Sequence, residues 1–152
     1  MHKPTWPDTL QPVEPHAVQR DLAQFWHELA ALAPLLAARE LVLAAEAISR
    51  VRHLVVALML ALNGITRPPA TANLNAYLGD SQRAALEKTL LLPTVTADAL
   101  MAQAVALVII YRWYAPQLLA RHGGEYPQDL EDLAWTELTA RLPDWPLQVN
   151  TD

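Results

Sequence analysis

The chain has 152 residues, enough for one domain with a real core, and 53% of them are hydrophobic, which excludes a disordered chain. A net charge of −5 excludes a general nucleic-acid binder, whose surface would be basic. No cysteine is present, so disulfides, thiolate metal sites and cysteine nucleophiles are excluded together.

Residues 1 to 15 hold four prolines and little periodicity and predict an extended arm with no signal-peptide pattern. A first helix is predicted from about His16 to Ala33. Val18, Leu22, Phe25, Leu29 and Leu32 recur there at spacings of three and four, and Pro34 interrupts or ends it. A second helix covers Arg39 to Leu62, with Ile48, Val51, Val55, Leu58, Met59 and Leu62 on its buried side. Asn63-Gly64 is a helix stop, because both residues tolerate the left-handed conformation, and Pro68-Pro69 stiffen the crossover that follows. A short third helix starts at Asp80, its expected N-cap, and runs to about Leu91 before Pro93.

Thr94 or Thr96 caps a fourth helix that runs to Ala115, with Gln117 to His122 extending it past a kink at Pro116. Leu100, Met101, Val105, Leu107, Val108, Ile109 and Ile110 point in nearly every direction around it. Such a helix is either central to the bundle or part of a subunit interface. Gly123-Gly124 breaks the chain. A last helix follows from Pro127 to Leu142, with acids in its first turn and Arg141 at its end, before an irregular tail over 143–152.

The expected architecture is all-α: an antiparallel up-and-down bundle of four main helices plus a short crossover helix, forming one domain over 16–142. No membrane span is expected, since the apolar runs Leu54–Leu62 and Ala99–Tyr111 fall short of the about 20 residues a span needs. These features fit a soluble cytoplasmic protein.

The missing motifs narrow the chemistry. There is no GxxxxGK[ST] or GxGxxG loop, no HxxxH, HExxH or paired Glu-x-x-His, and no GxSxG. No catalytic residues, metal ligands or cofactor are therefore assigned. Arg52 sits on the shoulder of the buried stripe, where it must snorkel or meet an acid or an anionic ligand. Asn63, near the same angle, either caps its helix or faces a ligand. Arg112 lies beside Tyr111, Trp113 and Tyr114, where it can bind a phosphate or a ring or cover the helix end. Glu46, Arg50 and His53 share a face, as ion pairs on a solvated surface or as acid–base machinery. Arg67, Asn73, Asn75 and Tyr77 add polar groups on the crossover.

The stretch WHELAALAPLLAARELVLAAEAISRVRHLVVALMLALNGITRPP, Trp26 to Pro69, resembles the C-terminal helical domain of kanamycin- and lincosamide-type nucleotidyltransferases. There an arginine-bearing helix enters a Leu-Asn-x-x-x-x-Pro junction, matched here by Leu62, Asn63 and Pro68 with Arg52 upstream. The resemblance implies a bundle that holds an acceptor substrate or packs on a catalytic partner. It also implies kinship with stand-alone helical relatives that dimerise. The Gly-Ser turn and Asp-x-Asp pair of the family's separate catalytic domain do not occur here, and Arg50 and Arg52 stand too close to His53, Arg112 too far from His122 and Arg121 next to His122 for the Arg-x(4–6)-His motif of ribonuclease relatives.

Two expectations follow. One is a non-catalytic binding domain with a groove lined by Arg52, Asn63, Arg67 and Tyr77, with Arg112 as a further substrate contact. It would take a small molecule or nucleotide and act as a homodimer or beside a separate nucleotidyltransferase subunit. The other is an interaction or oligomerisation bundle with no small ligand, built on the fourth helix.

Overall fold

A computed structural model describes residues 11–68, 71–90 and 94–149. The arm before Gln11, Pro69, the expected end of the third helix at Leu91 with its Pro93 stop, and the last three residues lie outside this range. Alanine- and leucine-rich segments give five α-helices among the described residues: α1 (Pro15–Ala37), α2 (Leu41–Leu62), α3 (Asp80–Lys88), α4 (Ala97–His122) and α5 (Gln128–Arg141). A single 3-10 turn, Leu74–Ala76, precedes α3. The fold is all-α, a helical bundle. The N-terminal arm touches it through a bridge between Gln11 and Thr66 and through the Thr66 hydroxyl, which donates to Pro12 O at 2.8 Å.

The expected stripe of α1, Val18 to Leu32, is fully buried, and it packs on α2 and α5. α2 also packs on α4. Successive helices reverse direction. Asn63 at the end of α2 bonds Gln82 at the start of α3, while Arg52 about halfway back along α2 bonds Thr89 at the end of α3. α3 therefore carries the chain back along α2, and α4 then runs the same way as α2, with Arg121 in its last turn donating to Leu62 O. The centre is aromatic. Phe25 stacks on Tyr111 at 4.1 Å, and Trp26 meets Tyr111 edge-on at 5.1 Å. Trp26 Nε1 donates to the Tyr111 hydroxyl at 3.1 Å, which in turn donates to Leu22 O at 2.8 Å. Both polar tips are thus satisfied in the core, and burial drives the Tyr111 hydroxyl far above the usual tyrosine range.

Several boundaries differ from expectation. α1 continues through Pro34 to Ala37, because Pro34 faces solvent and the helix's other side is locked in the core. It ends one turn later, where Arg39 turns left-handed (φ 57°). Arg39 N then donates to Leu36 O and Glu40 N to Leu35 O, the two bonds of a Schellman stop. α2 closes the same way with Gly64 at φ 82°, as the Asn-Gly pair foretold. The N-cap of α3 is Gly79, not Asp80; Asp80 is its first helical residue, and the Gln82 side chain accepts from Gly79 N at 2.9 Å. Thr96 caps α4 as expected, accepting from Ala99 N at 3.1 Å, but that helix runs unbroken through Pro116 to His122.

The apolar α4 is not enclosed on every side. Leu100, Ala104, Leu107, Val108, Tyr111, Ala115 and Leu118 are buried, while the opposite face, from Asp98 through Ala102 and Ile109 to Trp113, is open to varying degrees. By length and composition α4 could cross a membrane; half of its most apolar stretch is buried within the bundle.

Candidate functional site

The residues singled out in the sequence fall into three places. The first is the junction of α2 and α3. The Asn63 and Gln82 side chains form a reciprocal amide pair, Asn63 Nδ2 to Gln82 Oε1 at 2.7 Å and Gln82 Nε2 to Asn63 Oδ1 at 3.1 Å. Asn63 Nδ2 also donates to Tyr77 O at 2.9 Å, so Asn63 and Tyr77 do come together, with the Tyr77 side chain buried. One helical stretch away, Arg52 donates from Nε to the Thr89 hydroxyl and from Nη2 to Thr89 O, both at 3.1 Å. No ion pair of Arg52 is found among the described residues. Its charge instead meets the C-terminal end of α3, where the helix dipole is negative. Burial lowers the affinity of this guanidinium for its proton.

The second place lies on the α1 side of α2. Arg67 Nη1 is 2.9 Å from His53 Nδ1 and borders a recess of about 200 Å³ with Val13, Asp21, Ala57 and Thr66. Burial, then Arg67, holds His53 below the usual imidazole range, while Asp21 pulls the other way. Burial raises Asp21 in turn. Arg67 thus faces away from the Arg52–Thr89 contact. The Glu46, Arg50 and His53 face does not act as a unit either, because Arg50 pairs with Glu28 of α1 at 3.1 Å.

The third place is Arg112. Its Nε and Nη2 donate to Glu131 Oε1 at 3.2 and 2.7 Å, its Nη1 donates to Val149 O at 3.3 Å, and its guanidinium lies 5.1 Å from the Trp135 ring centre. Glu131 is only 8% exposed, so this is a largely buried charge held by its partner. Gln128 donates to its other oxygen. A hollow of about 560 Å³ opens beside the pair, rimmed by Asp132, Thr136 and Gln148. Among the described residues no group of three or more His, Asp or Glu side chains is placed to hold a metal ion.

A fourth feature escaped residue-by-residue reading. The outer face of α4 carries Ala102, Val105, Ala106, Ile109 and Trp113 with no charge between Asp98 and Arg112. Trp113 is 46% exposed. On one side of this face α3 and α4 enclose a groove of about 450 Å³ lined by Ala84, Ala85, Ala106, Ile109 and Trp113. On the other lies a hollow of about 600 Å³ lined by Met101, Ala102, Val105 and Pro146, with Asp98 and Asp144 at its edge. The sequence does show the all-apolar helix. Which half of it the other helices cover is a tertiary fact.

The fold and these surfaces define an all-α helical bundle with an open apolar face on its fourth helix. No family model, curated protein or solved structure matches the chain.

Proposed function

We propose that the protein is a non-catalytic interaction module that works by self-assembly through the outer face of α4. The observation that carries this is the uncharged stripe Ala102, Val105, Ala106, Ile109 and Trp113, flanked by two recesses, one edged by Asp98 and Asp144 and the other by Lys88. Contiguous exposed apolar patches of this kind mark association surfaces. The polar residues at the α2–α3 junction support the same reading from the other side: Arg52 and Asn63 direct their hydrogen-bonding groups at α3, as structural fastenings do. Multi-angle light scattering tests the proposal. The wild type gives a mass above that of one chain, and Ile109→Asp gives a monomer with unchanged far-ultraviolet circular dichroism. A wild-type monomer at every concentration overturns it.

A second reading draws on the Trp26–Pro69 resemblance and on Arg112. The hollow beside Arg112 and Trp135 is of ligand size. Glu131 and Asp132 outnumber Arg112 at its wall, which favours a cationic amino sugar over a nucleotide phosphate. Titration calorimetry with an aminoglycoside, wild type against Asp132→Asn, tests it. Absence of heat from the wild type rules it out.

A further inference from the structure

We infer that His53 works as a proton-operated latch on the crossover that follows α2: its neutral ring holds Arg67, and its charged ring releases it. The geometry is chemically one-sided. Arg67 Nη1 lies 2.9 Å from His53 Nδ1. A guanidinium carries donors and no acceptor, so Nδ1 must be the acceptor and the ring proton must sit on Nε2. A charged imidazole donates from both nitrogens. The contact therefore belongs to the neutral ring alone, and protonation replaces it with two cations at hydrogen-bond distance.

The surroundings give the charged ring another partner. Asp21 of α1 acts on His53 with the opposite sign to Arg67, and it borders the same recess as Arg67. Protonated His53 is repelled by Arg67 and drawn to Asp21. Glu14 and Arg20 edge that recess as well, and Arg20 offsets the charge of Asp21. On α2 itself the neighbouring cations are engaged elsewhere, Arg50 by Glu28 and Arg52 by the end of α3. α4 brings Arg121 to Leu62 O, at the far end of α2. What the latch holds is the crossover together with the N-terminal arm. Thr66, next to Arg67, donates from its amide to Gln11 O at 3.2 Å and from its hydroxyl to Pro12 O at 2.8 Å.

Burial and Arg67 make the folded protein bind the His53 proton less tightly than an unfolded chain does. The contribution of the latch is therefore complete above the ordinary imidazole value of 6.5, and it is lost as pH falls through 6.5 toward the folded value. Asp21, which burial raises, has the opposite sign: its contribution is complete below the ordinary 3.8 and fades as pH rises through its folded value.

Nuclear magnetic resonance on the full chain reads the ring and the crossover together. In the wild type the His53 ring nitrogens are expected to report the Nε2–H tautomer, with a titration midpoint below 6.5 that moves up in Arg67→Met and further down in Asp21→Asn. Exchange of the Thr66 amide, corrected for its intrinsic rate, is expected to quicken about fivefold as His53 takes up its proton, the effect of two unit charges at contact in water. His53→Gln, whose side-chain oxygen accepts from Arg67 at any pH, is expected to abolish that acceleration. An Nδ1–H tautomer, a midpoint indifferent to Arg67→Met, no acceleration in the wild type, or the same acceleration in His53→Gln overturns the latch.

Discussion

Arg39 occupies a backbone conformation that costs an L-residue roughly 1 kcal/mol relative to glycine, yet it closes the two bonds that end α1 and begin the turn into α2. Arg39→Gly is expected to raise the unfolding free energy by about 0.5–1 kcal/mol in urea denaturation, with the slope unchanged. A loss of stability would mean that the exposed guanidinium contributes more than the strain costs. The contrast with Gly64 explains what could be read in advance. An Asn-Gly pair announces a left-handed stop because glycine adopts it without strain, and the α2 terminus fell where expected. An arginine announces nothing; its conformation is imposed by the packing of α1 and α2 on either side of it. Arg52 teaches the same lesson. Its place on the shoulder of α2 was legible from the 3.6-residue period, but its partner, the end of α3, lies thirty-seven residues away on another element.

At the level of elements, the proline signals at Pro34 and Pro116 were read as stops or kinks, and both helices continue through them. A proline costs a hydrogen bond and a steric clash. Here the buried partners on α1 and α4, among them Leu32, Leu36, Ala115 and Leu118, hold the helical path on either side. The joint between α2 and α3 depends on the Asn63–Gln82 amide pair, with Gln82 largely buried. Asn63→Leu strips Gln82 of that partner and removes the bond to Tyr77 O, and it is expected to destabilise the fold by about 2 kcal/mol. Asn63→Leu with Gln82→Leu together should cost less than the sum of the two single changes, a coupling that a double-mutant cycle in urea reads directly. Additive losses would mean that the two amides do not act as a pair. The periodicity of α1 translated into burial almost residue for residue because only one of its faces is apolar. For α4 the pattern was apolar throughout, so the sequence carried no information on which side would stay open.

Across the whole molecule, α3 supplies the return stroke that lets α2 and α4 lie side by side, and the C-terminal tail joins α4 to α5. Arg112 reaches both Glu131 and Val149, Trp135 Nε1 donates to Leu147 O, and Trp145 packs edge-on against Trp135. The five candidate site residues are distributed over this architecture in three separate places: Arg52, Asn63 and Tyr77 at α3, Arg67 against His53 of α2, and Arg112 at α5 and the tail. Among the surfaces that these contacts leave open is the outer face of α4. Sedimentation equilibrium of the unmodified chain measures the consequence directly. Across the micromolar range the mass should approach twice the 16.9 kDa of one chain, and Ile109→Asp should return it to the single value. A mass of 16.9 kDa at every concentration, with the wild type and Ile109→Asp indistinguishable, would contradict self-assembly through α4.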